Sequence, residues 1–560
     1  MRPGGKARAS AAARTGLVTA VAAAVVGTAA IAPPAAADPA EQAGRPTRCA
    51  GLDGREIPAS AITLPTRGGD VTAASVVTED VSGQSVRYCR LDAALHPIDR
   101  SAPDIRMRLA VPVDWNRKAM MFGGGGYNGT VPDVTANVAF GPADEPSPLA
   151  RGYATYASDS GHQADPAAHP VPSLDGSFAM NDEALRNFAT GDALKKTHDA
   201  ALYLIRRTGR AKPKHTYFAG GSTGGREALA VAQRWPKAFD GVISAYPAWN
   251  NLAEVLYLGH ATRLLAQPGA FPGPEKQGLL YDSVIASCDG RDGLEDGIVS
   301  NVSACDFDPQ ELRCPGGEDT GAACLSDRQI DAVRAISSEW SWPYGIASGE
   351  QGYPGFPFLS GADMRTPLLG FGSTAPADPM PLTSGYGMQY WDQWVKHFLT
   401  RDPGRGALSV DPARPGRWRE RISHLSTLQD VNDADLRPFQ RAGGKLLLIH
   451  GAADELVSHR ATNDYYERVV EAVGPKRTER FLRYYVVPGA NHANVGDPAF
   501  AASWDSVTAL ERWVEDRRPP ADPVAADAGG DRSRPLCEYP LWPRYRSGDP
   551  SSADSFVCTR

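Results

Sequence analysis

One short stretch constrains this chain more than any other. His215-Thr216-Tyr217-Phe218-Ala219-Gly220 reads as a strand, passes into Gly221-Ser222-Thr223-Gly224-Gly225, and continues from Gly225 to Arg234 as a helix. A G-x-S-x-G set between strand and helix allows a sharp turn that lifts the serine hydroxyl above the sheet edge. The helix start behind it favours negative charge. Taken alone, these residues also fit a glycine turn with no chemistry. A phosphate-cradling loop is disfavoured because no Lys-Ser/Thr follows, and no organic cofactor is expected.

The surrounding sequence alternates in the way such a turn requires. Strand-like stretches at 105–113, 118–122 and 153–159 precede a helical stretch from about 181 to 207, and another strand follows at 241–248. From about 250 to 430 the rhythm fails, and cysteine, glycine, proline and aromatic residues dominate. It returns with the strand Lys445-Leu446-Leu447-Leu448-Ile449-His450-Gly451, a helix around 461–473, a strand at 481–487 and a helix at 504–517. Strands alternating with helices imply an α/β fold with a mostly parallel sheet covered on both faces. Residues 38–249 and 431–560 are expected to build that sheet, and 250–430 an inserted domain. The 560 residues suffice for one large domain with such an insertion.

The first 37 residues resemble an export signal. Basic residues up to Arg14 precede an apolar run from Leu17 to Ala32, and Ala35-Ala36-Ala37 offers a cleavage site before Asp38. A membrane anchor is the rival reading, but the run is Ala/Gly-rich, shorter than a span and closed by Pro33-Pro34. A secreted protein with no membrane partner is expected. The balance of 58 Lys+Arg against 65 Asp+Glu gives a net charge of −7 and disfavours nucleic acid as a partner. In an exported chain the eight cysteines read as a disulfide framework. Proximity pairs Cys49 with Cys89, Cys288 with Cys305, Cys314 with Cys324 and Cys537 with Cys558. The absence of any CxxC or clustered Cys/His spacing argues against zinc.

A serine nucleophile needs a base and an orienting acid, which in this architecture follow in the order Ser, Asp/Glu, His at strand ends. Asp454 stands three residues past the strand 445–451, and His492 follows the strand 481–487 through Pro488-Gly489-Ala490-Asn491. His459 lies only five residues after Asp454 with no strand between. Singly, Asp454 reads equally well as a helix cap and His492 as a turn residue; order and position together favour a triad. Gly123-Gly124-Gly125-Gly126, just after a strand, offers bare N–H groups to a substrate oxygen. The oxyanion donors are expected to be the N–H of Thr223 and one from Gly125 or Gly126.

These stretches resemble the tannase and feruloyl esterase family of α/β-hydrolases. The resemblance rests on Trp115-Asn116 leading to GGGGYNG, SDSGH at 158–162, GGSTGGREAL around Ser222, GGKLLLIHGAADELV around Asp454, PGANH ending at His492, and the tail motifs RPLCEYP and SFVC. It runs from about residue 50 to 560. It implies a serine ester hydrolase, often for esters of aromatic acids, with a lid inserted between the Ser and Asp strands. The substrate partner would be a small-molecule or oligomeric ester. Esters of aliphatic or polyester-derived acids, or a non-catalytic binding protein on the same fold, are the other readings.

The inserted region carries Cys288-Asp289-Gly290-Arg291-Asp292-Gly293-Leu294-Glu295-Asp296-Gly297-Ile298. Its spacing does not fit an EF-hand. By itself it reads equally as a hard-cation loop or a solvated acidic turn. The resemblance implies structural calcium, held by the side chains of Asp289, Asp292 and Asp296 and the carbonyls of Leu294 and Ile298. The chain departs from its relatives at one place: typical members carry bonded cysteines directly before the serine and directly after the histidine, where this sequence has Gly221 and Ala493. With that bond in mind, positions 221 and 493 are expected to face each other across a gap that a cysteine pair would close. The lid aromatics Trp340, Trp342, Tyr353, Phe356, Trp391 and Trp394 either stack on an acyl group or pack a core.

Overall fold

The computed structural model describes residues 48–560. The expected export signal, residues 1–37, and the segment 38–47 lie outside the described residues.

The centre is a ten-stranded sheet in the order β1-β2-β3-β4-β6-β5-β7-β8-β11-β12. Its strands are β1 (Glu56–Ile57), β2 (Gly69–Val81), β3 (Gln84–Leu95), β4 (Ile105–Pro112), β5 (Lys118–Phe122), β6 (Ala154–Ser158), β7 (His215–Gly221), β8 (Gly241–Ala245), β11 (Lys445–Gly451) and β12 (Leu482–Val487). A two-residue pair, β9 (Trp340–Ser341) and β10 (Gly352–Tyr353), lies in the insertion. From β6 to β12 all neighbours are parallel, whereas β1 to β4 and the β4–β6 pair are antiparallel.

In the middle of the sheet the strands are apolar on both faces because helices cover both. In β11, Leu446 and Leu448 enter a core with Phe218, Leu229 and Tyr465, while Leu447 and Ile449 point the other way towards Tyr217, Leu510 and Trp513. This period-two split of one apolar run is what a doubly covered strand requires. The expected continuous helix over 181–207 is instead two, Asp182–Ala189 and Asp192–Arg207. The first is capped by Asn181, whose side chain accepts the N–H of Glu183 and Ala184; the break falls at Gly191, whose φ of 75° is left-handed.

The inserted region holds the helices Asn251–Leu265, Pro274–Cys288, Asp327–Ser337, Tyr386–Gln393 and Arg419–Gln429. Its core takes in residues from the sheet half: Tyr127 stacks on Tyr390 at 3.9 Å, and Phe178 and Phe188 meet Phe398. Of the six lid aromatics, Trp342, Tyr353, Phe356, Trp391 and Trp394 are buried in this core and Trp340 packs against it, so packing is their role. Truncating a fully buried tryptophan such as Trp391 to alanine costs about 3–5 kcal/mol. All four expected disulfides are present: Cys49–Cys89, Cys288–Cys305, Cys314–Cys324 and Cys537–Cys558. Among the described residues, no helix is long and apolar enough to cross a membrane.

Candidate active site

The site lies at the carboxyl ends of β5, β7, β11 and β12, where side chains emerge beyond the sheet. Ser222 follows β7 directly and has φ 59° and ψ −123°, a conformation that a residue with a side chain holds only when its surroundings impose it. Its N–H donates to Ala245 O at 3.1 Å, and its carbonyl accepts from Arg226 N–H at 3.0 Å. The turn closes because its neighbours lack side chains. A Cβ on Gly220 would stand 2.4 Å from Gly224 O, and one on Gly224 would stand 2.7 Å from Gly124 O.

The glycine loop after β5 is bound to this turn. Gly224 N–H donates to Gly124 O at 3.0 Å, and the Thr223 hydroxyl donates to Gly126 O at 2.7 Å. Two of the four glycine N–H groups are engaged, Gly123 with Ala219 O and Gly124 with the carboxylate of Glu227 at 2.9 Å. Those of Gly125, Gly126 and Thr223 meet no acceptor among the described residues. Gly125 opens onto free space, with nothing within 4 Å of where its Cβ would be. Glu227 also accepts from Asn128 Nδ2 at 2.8 Å and Ser160 Oγ at 3.2 Å, so one buried carboxyl anchors the loop at two points and ties it to the segment after β6. Burial raises its pKa, and the Arg226 charge opposes that rise.

Asp454 and His492 meet as their spacing predicts. His492 Nδ1 lies 2.8 Å from Asp454 Oδ2, and Asp454 Oδ1 accepts the N–H groups of Leu456 and Val457 at 2.9 and 2.8 Å. A second imidazole, which motif and spacing do not single out, is His450, whose Nε2 lies 3.2 Å from the same Oδ2 and 2.9 Å from Val457 O. Two acceptors at Nε2 place its hydrogen there, leaving Nδ1 to accept from Thr462 Oγ1 at 2.9 Å. Burial alone would raise the carboxyl pKa, but the charge of His492 and the hydrogen bonds of both histidines hold it well below the usual carboxylate range. The next residue behaves oppositely: burial and the Asp454 charge push Glu455 well above its ordinary value, and its Oε2 accepts the backbone N–H of His492 at 3.2 Å. His459 is buried at the start of the helix His459–Val473.

Ser222 and His492 line one cavity of about 780 Å³, walled on one side by Gly124, Gly125 and Gly126 and on the other by lid residues including Arg365, Leu368, Leu382 and Tyr386. Leu368 and Leu382 are unusually exposed for leucines, at 80% and 63%, so the lid presents an apolar rim. The aromatic rings at the cavity are Tyr246 and Tyr386, neither of which the sequence pattern singles out. At position 221, expected to face position 493, a neighbouring ring takes up the space beside the backbone. A Cβ on Gly221 would stand 2.4 Å from the Tyr246 hydroxyl, which fills that space.

In the loop 289–298, Asp289 accepts N–H groups from Asp296 and Gly297 at 3.2 and 2.8 Å, and Asp292 accepts those of Leu294 and Ser300 at 3.0 and 3.2 Å. Burial raises the pKa of both, and the charge of Asp296 adds to the rise. Asp296 itself pairs with Arg534. Among the described residues, no three His, Cys, Asp or Glu side chains gather closely enough to hold a metal ion by themselves. The donors are nonetheless all oxygens, the type a hard cation takes, and Asp289 and Asp292 are buried with no cationic partner among the described residues.

Residues 89–559 match the tannase and feruloyl esterase family. The chain is 36% identical over 526 residues to an uncharacterized esterase of Agrobacterium fabrum, covering 91% of this chain and 92% of that one. It is 30% identical over 539 residues to a mono(2-hydroxyethyl) terephthalate hydrolase of Piscinibacter sakaiensis, covering 84% of each. Its fold matches feruloyl esterase B of Aspergillus oryzae with a TM-score of 0.70 at 20% identity, over 89% of this chain and 98% of that one. The chain belongs to the tannase and feruloyl esterase family, has the α/β-hydrolase fold, and is a carboxylic ester hydrolase.

Proposed function

We propose that this protein is a secreted serine esterase that cleaves esters of aromatic carboxylic acids through Ser222, His492 and Asp454. The observation that carries the reading is the junction of a strained serine turn with a histidine–aspartate pair at one cavity. His492 Nε2 takes the Ser222 proton as Oγ attacks the ester carbonyl, and returns it to the departing alcohol oxygen. The N–H groups of Thr223 and Gly125, with Gly126 beside them, receive the oxyanion. Asp454 holds the imidazole orientation and balances the imidazolium charge. Water then repeats the cycle on the acyl-enzyme. Glu227 holds the donor loop in place from behind.

The aromatic acyl preference draws on relatives named for feruloyl and terephthalate esters and on a cavity with an apolar rim. Side-by-side rates on feruloyl, galloyl, terephthaloyl and hydroxyalkanoate esters test it, and faster turnover of the aliphatic ester overturns it. A fluorophosphonate should label Ser222, and Ser222→Ala should lose the label and about 10⁴-fold or more of the activity at an unchanged Tm. Activity above a few per cent in that variant excludes Ser222 as nucleophile. Export is supported by the leader-like residues 1–37 and four disulfides. Calcium would be held by the carboxylates of Asp289, Asp292 and Asp296 and the carbonyls of Leu294 and Ile298, where its charge would stabilise the lid.

A further inference from the structure

Tyr246 stands one residue beyond β8, buried to 5% exposure, and its backbone has a φ of 34° although it carries a large side chain and precedes Pro247. Such a conformation persists only where the surroundings over-determine it. Its N–H donates to Ile449 O at 2.7 Å, tying it to the strand that leads to Asp454. The ring lies against the imidazole of His492, centroids 4.6 Å apart and planes at 58°, and meets the edge of Phe140 at 5.1 Å and 74°. Its hydroxyl end occupies the space over Gly221, so that no residue with a Cβ fits there without displacing it.

His492 needs this support. Its Nδ1 contact with Asp454 holds one edge of the ring and its backbone N–H is held by Glu455, while Tyr246 is the ring packed against the imidazole itself. The next two residues, Ala493 and Asn494, have φ of 61° and 56°, so the turn is a strained one with no strand or long helix to hold it. A general base displaced by about 1 Å loses roughly 10²-fold in rate.

We propose that Tyr246 is a positioning residue: its ring is a wedge between the serine turn and the histidine loop, setting the imidazole tilt by packing where a covalent tie between positions 221 and 493 would otherwise do so. This rests on the triad reading above. Gly221 is then the complement of Tyr246, kept free of a side chain to admit the phenol.

The test compares purified full-length variants whose folding is checked by circular dichroism and Tm. Tyr246→Phe retains the ring and should keep most of the activity. Tyr246→Ala should lower kcat roughly 10- to 100-fold with little change in KM and a displaced acid limb of the pH–rate profile, as a loosened base would give. Gly221→Cys with Ala493→Cys should lower kcat while Tyr246 is present, because the new side chain at 221 displaces the phenol. The same pair combined with Tyr246→Ala should close a disulfide and regain kcat, losing it again on reduction. Three results overturn the proposal: Tyr246→Ala with wild-type kcat and pH profile, a disulfide formed at full activity beside an intact Tyr246, or a cross-linked triple variant as slow as Tyr246→Ala. A wild-type protein that hydrolyses no ester and takes no fluorophosphonate would instead defeat the triad reading, so the two failures are separable.

Discussion

Two loops of this molecule bury carboxylates and treat them in opposite ways. After β11, Asp454 is wholly enclosed, yet the charge of His492 and hydrogen bonds from two imidazoles keep it ionised far into acid. In the loop 289–298, Asp289 and Asp292 have uncharged donors and a third acid nearby, and burial shifts them upward. Burial is common to both; the difference is whether the fold itself supplies the opposing charge. A loop that supplies it keeps its carboxylate charged by itself, and one that does not leaves its acids shifted toward the neutral form.

The largest test of this contrast is Asp454→Asn. An amide cannot balance the imidazolium and turns the His492 tautomer the wrong way, so kcat should fall about 10⁴-fold. Retention of more than a tenth of the rate would mean that His450 and Glu455 suffice. Next in size, adding calcium to chelator-treated protein should raise the Tm, by the equivalent of about 2.7 kcal/mol at 100 times the Kd, while kcat measured well below that Tm stays constant. The rise should vanish in Asp292→Asn; equal melts in both conditions, with no metal found by elemental analysis, would refute the site.

The smallest effect concerns a third acid. Asp159 is enclosed by neutral donors, Gly161 N–H at 2.9 Å, Gln163 Nε2 at 2.6 Å and Arg106 N–H at 3.2 Å, and burial pushes it up to about 7. An acid raised in the folded state binds its proton more tightly there than in the unfolded chain. Stability should therefore decline as pH rises from about 4 to about 7 and level off above. Asp159→Asn should flatten that decline in urea titrations. An unaltered slope would show that the carboxyl keeps its charge through bonds alone.

What the sequence disclosed and what it hid follow from the range of the interactions. The strand–turn–helix around Ser222, the strands before Asp454 and His492, and the short-range cysteine pairs are local patterns, and each stands where its residues predict. The hairpin of β2 and β3 is hard to read because β2 is mostly exposed beyond Val71, and the alternation of β3 from Cys89 to Leu95 carries arginine and aspartate at its outward positions. His450 looks like the end of an apolar strand, and only the fold turns its ring onto Asp454. Glu227 is an unremarked helix residue until β5 brings Gly124 to it. Tyr246 is the plainest case. Nothing in Ala245-Tyr246-Pro247 announces a ring lying across the histidine, because that contact joins loops from β8 and β12 that are far apart in the chain.

The pairing of Arg534 with Asp296 ties the C-terminal segment to the inserted region. The guanidinium is 2% exposed and arrives 238 residues after the carboxylate it neutralises; Arg532 adds a bond to the Asp296 carbonyl from the same segment. The acidic loop is therefore complete only with the C-terminal segment folded over it, and removing that segment would leave Asp296 without its cation.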